Sequence, residues 1–243
     1  MTPSDTNPAL LHWQIWRPRA SAPVPSGILT FAPGGADLGL PPEVALHLPT
    51  AAGNKVLLDA LTQPAGHPRT TAIKDKAAGL FMADCFLHVE RTAEILRAAG
   101  IEWVCNLPTV GQHDRAFQHV LSQVNMGVDR ELAVCDAFRT RGFRLLVAVS
   151  EAEAAPRWAR LDPEAIAHVP GLAAFRTGRP ALSQRRAAEA ELRAALAAKG
   201  WKGLFLPYGN PEEGAAVKDE AGPCLCPPYP WPGTWGAQET AAG

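Results

Sequence analysis

The residues best equipped for chemistry stand where short apolar runs give way to polar positions. Asp84 follows the run 79–83, and Asn106 opens Asn106-Leu107-Pro108-Thr109-Val110-Gly111 after the run 101–105. Ser150-Glu151 follow 143–149, His168 closes 164–168, and Tyr208 follows 203–207. Carboxylates, a carboxamide, an imidazole and hydroxyls arriving from separate segments suit a small-molecule site. Each also has a local alternative. Asp84 caps the helix after it, Asn106 bonds the backbone of its own turn, and His168 is a core histidine. Glu151 and Asp114 complement the positive end of a helix. The location shared by these residues, more than any one of them, marks a site.

The 106–111 stretch is the stiffest of these turns. Pro108 fixes φ and holds Leu107 extended, while Gly111 reaches backbone angles closed to other residues. Such a loop presents Asn106 and Thr109, and the helix opening at Asp114 directs its positive end to the same region, as an anion requires. Asp84, Asn106 and His168 are the candidate catalytic residues. Thr109, Gly111, Ser150, Glu151 and Tyr208 are candidate ligand contacts, with Asp84 and Glu151 the carboxylates available to a metal.

The elements that must position these residues alternate. Helical spacing of apolar residues marks 89–99, 114–123, 130–140, 151–160 and 182–199, between the apolar runs 79–83, 101–105, 143–149, 164–168 and 203–207. Gly100, Gly142 and Gly200 each stand between a helix and the next run, where a left-handed cap is wanted. Strands alternating with helices pair in parallel, since each helix is a crossover. The amino-terminal third is less regular, with 27–32 and 44–48 as strand candidates and 54–61 as a short helix. The expected organisation is an extension over 1–26, an α/β domain over 27–221 and a Pro- and aromatic-rich tail over 222–243. The prolines at 223, 227, 228, 230 and 232 are expected to keep that tail out of a sheet.

At 243 residues, 47% of them hydrophobic and 19% charged, the chain suits one packed domain of barrel size. The 23 Lys and Arg nearly balance 24 Asp and Glu and form no stripe, which argues against nucleic acid as a partner. No apolar run is long enough for a membrane span, and the first residues lack signal-peptide character. Five cysteines without C-x-x-C spacing fit a reduced, cytoplasmic chain; Cys224 and Cys226 lack the further ligands of a zinc site. Trp13, Ile15, Trp16, Trp231 and Trp235 make both ends aromatic, either to form a homo-oligomer or to plug the domain's own ends.

Asn106-Leu107-Pro108-Thr109-Val110-Gly111 is similar to the "NFPTVG" motif of the phosphoenolpyruvate hydrolase-like (TIM-barrel signal transduction) family. Asp114, Phe117 and Asn125-Met126-Gly127 fall at the spacing of its "D…F…GMG" continuation. Ala83-Asp84-Cys85-Phe86 lies over "TDPF", and Ala167-His168 over the start of "AHMG". More loosely, Leu48-Pro49 with Asn54 resembles "LPYGDAN". The convincing part covers 79–172. The resemblance implies a TIM-like (β/α)8 barrel, intact or modified in its N- and C-terminal parts, related to phosphoenolpyruvate mutase and isocitrate lyase.

It further implies a small carboxylate or phosphonate ligand and a Mg²⁺- or Mn²⁺-assisted lyase or hydrolase acting on a 2-oxo acid. Asp84 and Glu151 would then hold the metal, and Asn106 with His168 would steady an enolate oxygen. Departures from the pattern motivate the alternative, an inactive barrel serving in ligand binding or regulation. Phe81 replaces a Cys, Ala173-Ala174-Phe175-Arg176 replaces Thr-Thr-Gly-Gly, and the family's Gly-rich and "HGGP" segments have no counterpart.

Overall fold

Six strands alternate with helices along the chain, as the sequence pattern requires. The structure, a computed structural model, describes residues 11–15, 27–30, 40–48, 52–62, 76–209 and 224–226. The six are β2 (Gly27–Thr30), β3 (Lys76–Gly79), β4 (Trp103–Cys105), β5 (Arg144–Val149), β6 (Ala165–His168) and β7 (Leu204–Leu206). Adding β1 (Leu11–Ile15) and β8 (Leu225–Cys226) gives one sheet of order β7-β6-β5-β4-β3-β2-β1-β8, parallel at every pairing. Leu225 also forms a parallel bridge with Tyr208, just past β7, through Leu225 N–H to Pro207 O at 2.8 Å.

The crossovers are α1 (Pro42–Ala45) and α2 (Gly53–Thr62) before β3, then α3 (Val89–Ala98) before β4. Next come α4 (Arg115–Gln123) and α5 (Val128–Thr140) before β5, α6 (Ala155–Ala159) before β6, and α7 (Leu182–Ala197) before β7. Gly100, Gly142 and Gly200 all take positive φ behind their helices, as expected of left-handed caps.

Both faces of the sheet are buried, and successive residues serve different cores. Ala78, Val104, Leu145, Val147, Ile166 and Phe205 pack with Leu96, Phe138, Trp158 and Leu192 of the helices. Ala77, Cys105, Leu146, Ala148, Ala165, Ala167 and Leu206 turn the other way, into a second cluster with Ile28, Phe175 and Tyr208. Small residues dominate that second face because space is tight there. A Cβ on Gly79 would lie 2.8 Å from Ile28 Cγ2, 2.9 Å from Thr30 Cβ and 3.0 Å from Leu107 O.

Several expectations need correction. The strand expected at 79–83 is β3, ending at Gly79. Asn54 accepts from Phe81 N–H at 2.9 Å and donates to Phe81 O at 2.9 Å, drawing the chain out of the ladder into a turn. Residues 44–48 are not a strand: Pro42 opens α1, and Pro41 O accepts from Val44 and Ala45 N–H. The helix expected at 151–160 is a 3₁₀ turn, Ala152–Ala154, followed by α6, with Pro156 near the start of the new helix. Leu11–Ile15 and Leu225–Cys226, expected outside the sheet, pair within it. Prolines flank β8 but leave Leu225 its N–H to donate. No described helix is long and apolar enough to cross a membrane.

Candidate functional site

A cleft of about 1050 Å³ opens over the carboxyl ends of β2 to β4. Thr30 and Gly79 form its floor, and the turns after β3 and β4 contribute Phe81, Asp84, Pro108 and His113. The first turns of α2 and α3 supply Gly53, Asn54, Lys55, His88 and Arg91, so two helix amino termini border the space. Leu46, Leu58, Ile95, Phe117, Leu121 and Met126 make much of the remaining wall apolar. Phe86 and Phe117 stand at the wall well exposed.

Asp84 lies in this wall and is already engaged. Its Oδ2 accepts from Asn54 Nδ2 at 3.0 Å, and its Oδ1 from Phe86 N–H at 2.9 Å. Arg130 donates to the Asp84 backbone carbonyl at 3.0 and 3.3 Å. The carboxylate thus shapes the turn that carries it.

His47 and His113 meet across the cleft wall. His47 Nε2 is 3.0 Å from Gln112 Oε1, and His47 Nδ1 is 3.0 Å from His113 Nε2. Gln112 Nε2 donates to Pro170 O at 3.3 Å, which leaves Gln112 Oε1 facing His47 as an acceptor. Burial and the neighbouring His113 push His47 down to about 4, against the pull of Gln112. Burial also lowers His113, with Asp114 opposing.

Asn106 does not line the cleft; it lies at 0% exposure beside it. One residue beyond β4 its carboxamide takes over the sheet ladder, accepting from Ala148 N–H at 2.7 Å and donating to Ala148 O at 3.1 Å. Its Nδ2 also donates to Glu131 Oε1 of α5 at 3.2 Å. Thr109 Oγ1 donates to Glu131 Oε2 at 3.1 Å and accepts from Gly111 N–H at 3.3 Å. Burial pushes Glu131 up to about 8, opposed by the bonds from Thr109 and Asn106. The 106–111 loop, whose Leu107–Pro108 bond is cis, is therefore tied to α5 through Glu131.

His168 ends β6 facing α7. Its Nδ1 is 3.7 Å from Glu189 Oε1 and has no hydrogen-bond partner among the described residues. Glu189 Oε1 accepts from Tyr208 N–H at 2.9 Å, and Tyr208 OH donates to Glu43 of α1. Burial holds Glu43 at about 7 despite that bond. Ser150 Oγ is buried without a described partner, while Glu151 is exposed, 3.9 Å from Arg115. His168 and Tyr208 thus share Glu189, whereas Asn106 and Thr109 share Glu131 and Asp84 lies in the cleft wall.

Three buried carboxylates, Glu43, Glu131 and Glu189, and the His47–His113–Gln112 chain were missed in the sequence. Glu131 reads there as an ordinary first-turn acid, and His47 falls in the misread 44–48 stretch. The signal for His113 was its place directly behind the 106–111 loop.

Of the two carboxylates offered for a Mg²⁺ or Mn²⁺, Asp84 lies in the cleft wall and Glu151 does not line it. Both Asp84 oxygens are engaged, and Glu151 faces Arg115. Among the described residues no three His, Cys, Asp or Glu gather to hold a metal ion. No family model matches the chain, and no curated protein is similar to it.

Proposed function

We propose that this chain is a closed (β/α)8 barrel that binds a small carboxylate- or phosphonate-bearing molecule in the cleft over β2 to β4. Closure is supported by Leu225, which pairs with Leu11 on one side and Tyr208 on the other, and by the small-residue inner cluster. The observation that carries the ligand reading is the meeting of two helix amino termini with Arg91, Lys55 and His88 at one apolar cleft. Partial positive charge and the Arg91 guanidinium suit the anionic head, Lys55 being paired with Asp59 of the same wall, and the apolar wall suits the rest of the molecule. The cleft's place beside the "NFPTVG"-like loop agrees with a phosphoenolpyruvate hydrolase-like barrel acting as a ligand-binding or regulatory protein.

Turnover is the second reading, favoured by Asp84 with His47 and His113 in the same wall. It makes the chain a lyase or hydrolase of a small 2-oxo acid or phosphonate. Calorimetric titration with phosphonopyruvate, phosphoenolpyruvate and oxaloacetate, with and without Mg²⁺, tests binding. Pyruvate release in the same mixtures tests turnover. Heat of binding that Arg91→Ala abolishes is expected; absence of binding by all three contradicts the reading. Free Cys105 and Cys135, buried in different clusters, support a reduced cytoplasmic setting. Self-association through the aromatic ends concerns side chains outside the described residues.

A further inference from the structure

We propose that His113 is the basic centre of the cleft, with Gln112 and His47 as the residues that position it. The proposal rests on the ligand reading above and assigns that site a chemistry. It follows from counting donors. Pro170 O can only accept, so Gln112 must turn its amide nitrogen to it and its oxygen to His47. His47 Nε2 must therefore carry a proton, and in the neutral ring Nδ1 is then a lone pair. That lone pair 3.0 Å from His113 Nε2 fixes the second proton on His113 Nε2. His113 Nδ1 is left as a free lone pair, on a residue that lines the cleft. The rings meet edge to face, centroids 4.5 Å apart, and Phe117 backs His113 at 4.7 Å.

A base oriented by a second group that is itself oriented is the arrangement that proton abstraction needs. The groups around His113 are His47 and Asp114, with Lys55 and its partner Asp59, Asp84, Cys85, His88 and Arg91 elsewhere in the cleft wall. Burial lowers the affinity of both rings for protons, which favours the free lone pair. The reaction suited to it begins with loss of a proton from a bound acid with an apolar body, or from a water held beside it. The proton joins Nδ1, its electron pair stays on the ligand or the attacking oxygen, and His47 Nδ1 accepts the Nε2–H bond of the cation formed. His113 then returns the proton to the product.

Bromoacetate, a small carboxylate electrophile, reads this out on the full chain carrying Cys85→Ser, which removes the thiol in the cleft wall. The Nδ1 lone pair attacks the methylene, the C–Br bond breaks, and bromide leaves. At pH 5 His113, oriented by His47 and seated in the anion-binding cleft, is expected to be alkylated about tenfold faster than exposed His119, by peptide mass spectrometry. In His47→Phe that preference falls to about twofold or less, as expected for a ring that has lost its positioning partner. Long-range ¹H–¹⁵N spectra of the unsubstituted chain should show both rings neutral with protons on Nε2. Equal alkylation of His113 and His119, or a proton on His113 Nδ1, overturns the proposal. Comparison with uncharged bromoacetamide separates the two readings: equal rates at His113 remove the anion site alone, while persisting His113 selectivity supports the relay.

Discussion

Asn106 and Glu131 are joined by a 3.2 Å hydrogen bond that ties the end of β4 to α5. The same carboxamide holds both backbone groups of Ala148, so both Asn106 amide hydrogens are committed within the fold and its oxygen already accepts one bond. Asn106→Ala should orphan Ala148 N–H and C=O and weaken the hold on Glu131. Each buried unsatisfied group costs about 1–3 kcal/mol, so a loss of several kcal/mol is expected. Urea denaturation measures it, and a change under about 1 kcal/mol would contradict this role.

Glu131 predicts the pH dependence. Its carboxyl is raised from 4.5 to about 8 in the folded chain, so folding favours the protonated form. That stability is complete below pH 4.5 and is lost as pH rises toward 8, by about 1.4 kcal/mol for each pH unit crossed. Glu131→Gln keeps an acceptor for Asn106 Nδ2, offers Thr109 Oγ1 an N–H in place of the oxygen it now donates to, and removes the titration. Its stability should exceed the parent's at pH 8.5 and vary less between pH 5 and 8.5, by urea midpoints. His47 works in the opposite sense: lowered to about 4, it withdraws stability as pH falls from 6.5 toward 4.

Gly79 tests the crowded inner face. Gly79→Ala drives a methyl against Ile28 Cγ2, Thr30 Cβ and the Leu107 carbonyl, at 2.8 to 3.0 Å. The backbone carbonyl cannot step aside as a side-chain tip does, and overpacking costs roughly 1–3 kcal/mol. A melting temperature within about a degree of the parent's would count against the packing described.

The alternation of strands with helices was plain in the sequence, because helical spacing, glycine caps and apolar runs agreed from 89 to 206. The ends were not. Two-residue β8 carries too few residues for any period to show, and flanking prolines obscured it. Sites at strand ends were also only partly legible. Asp84 reached the cleft wall, but Asn106 and His168 turn to the helix side, since residues alternate faces and each stands one beyond an inward-facing neighbour, Cys105 and Ala167. Their carboxylate partners lie 25 and 21 positions along the chain, on helices whose acids look solvated from sequence alone.

Barrel closure makes its own prediction. Leu225 N–H, bonded to Pro207 O at 2.8 Å, and Gly209 N–H, bonded to Leu225 O at 3.0 Å, should exchange with solvent deuterium slowly, like amides inside the sheet. Exchange of both at free-amide rates would leave the sheet open at this seam.

Capture of a small anion in the cleft over β2 to β4 is best followed by NMR, titrating the backbone amides with phosphonopyruvate. Saturable shifts at Gly53, Asn54, His88, Arg91 and His113, with His168 and Glu189 unmoved, are expected. No saturable shift at these amides, or shifts confined to the His168–Glu189–Tyr208 group, would rule out an anionic ligand in this cleft.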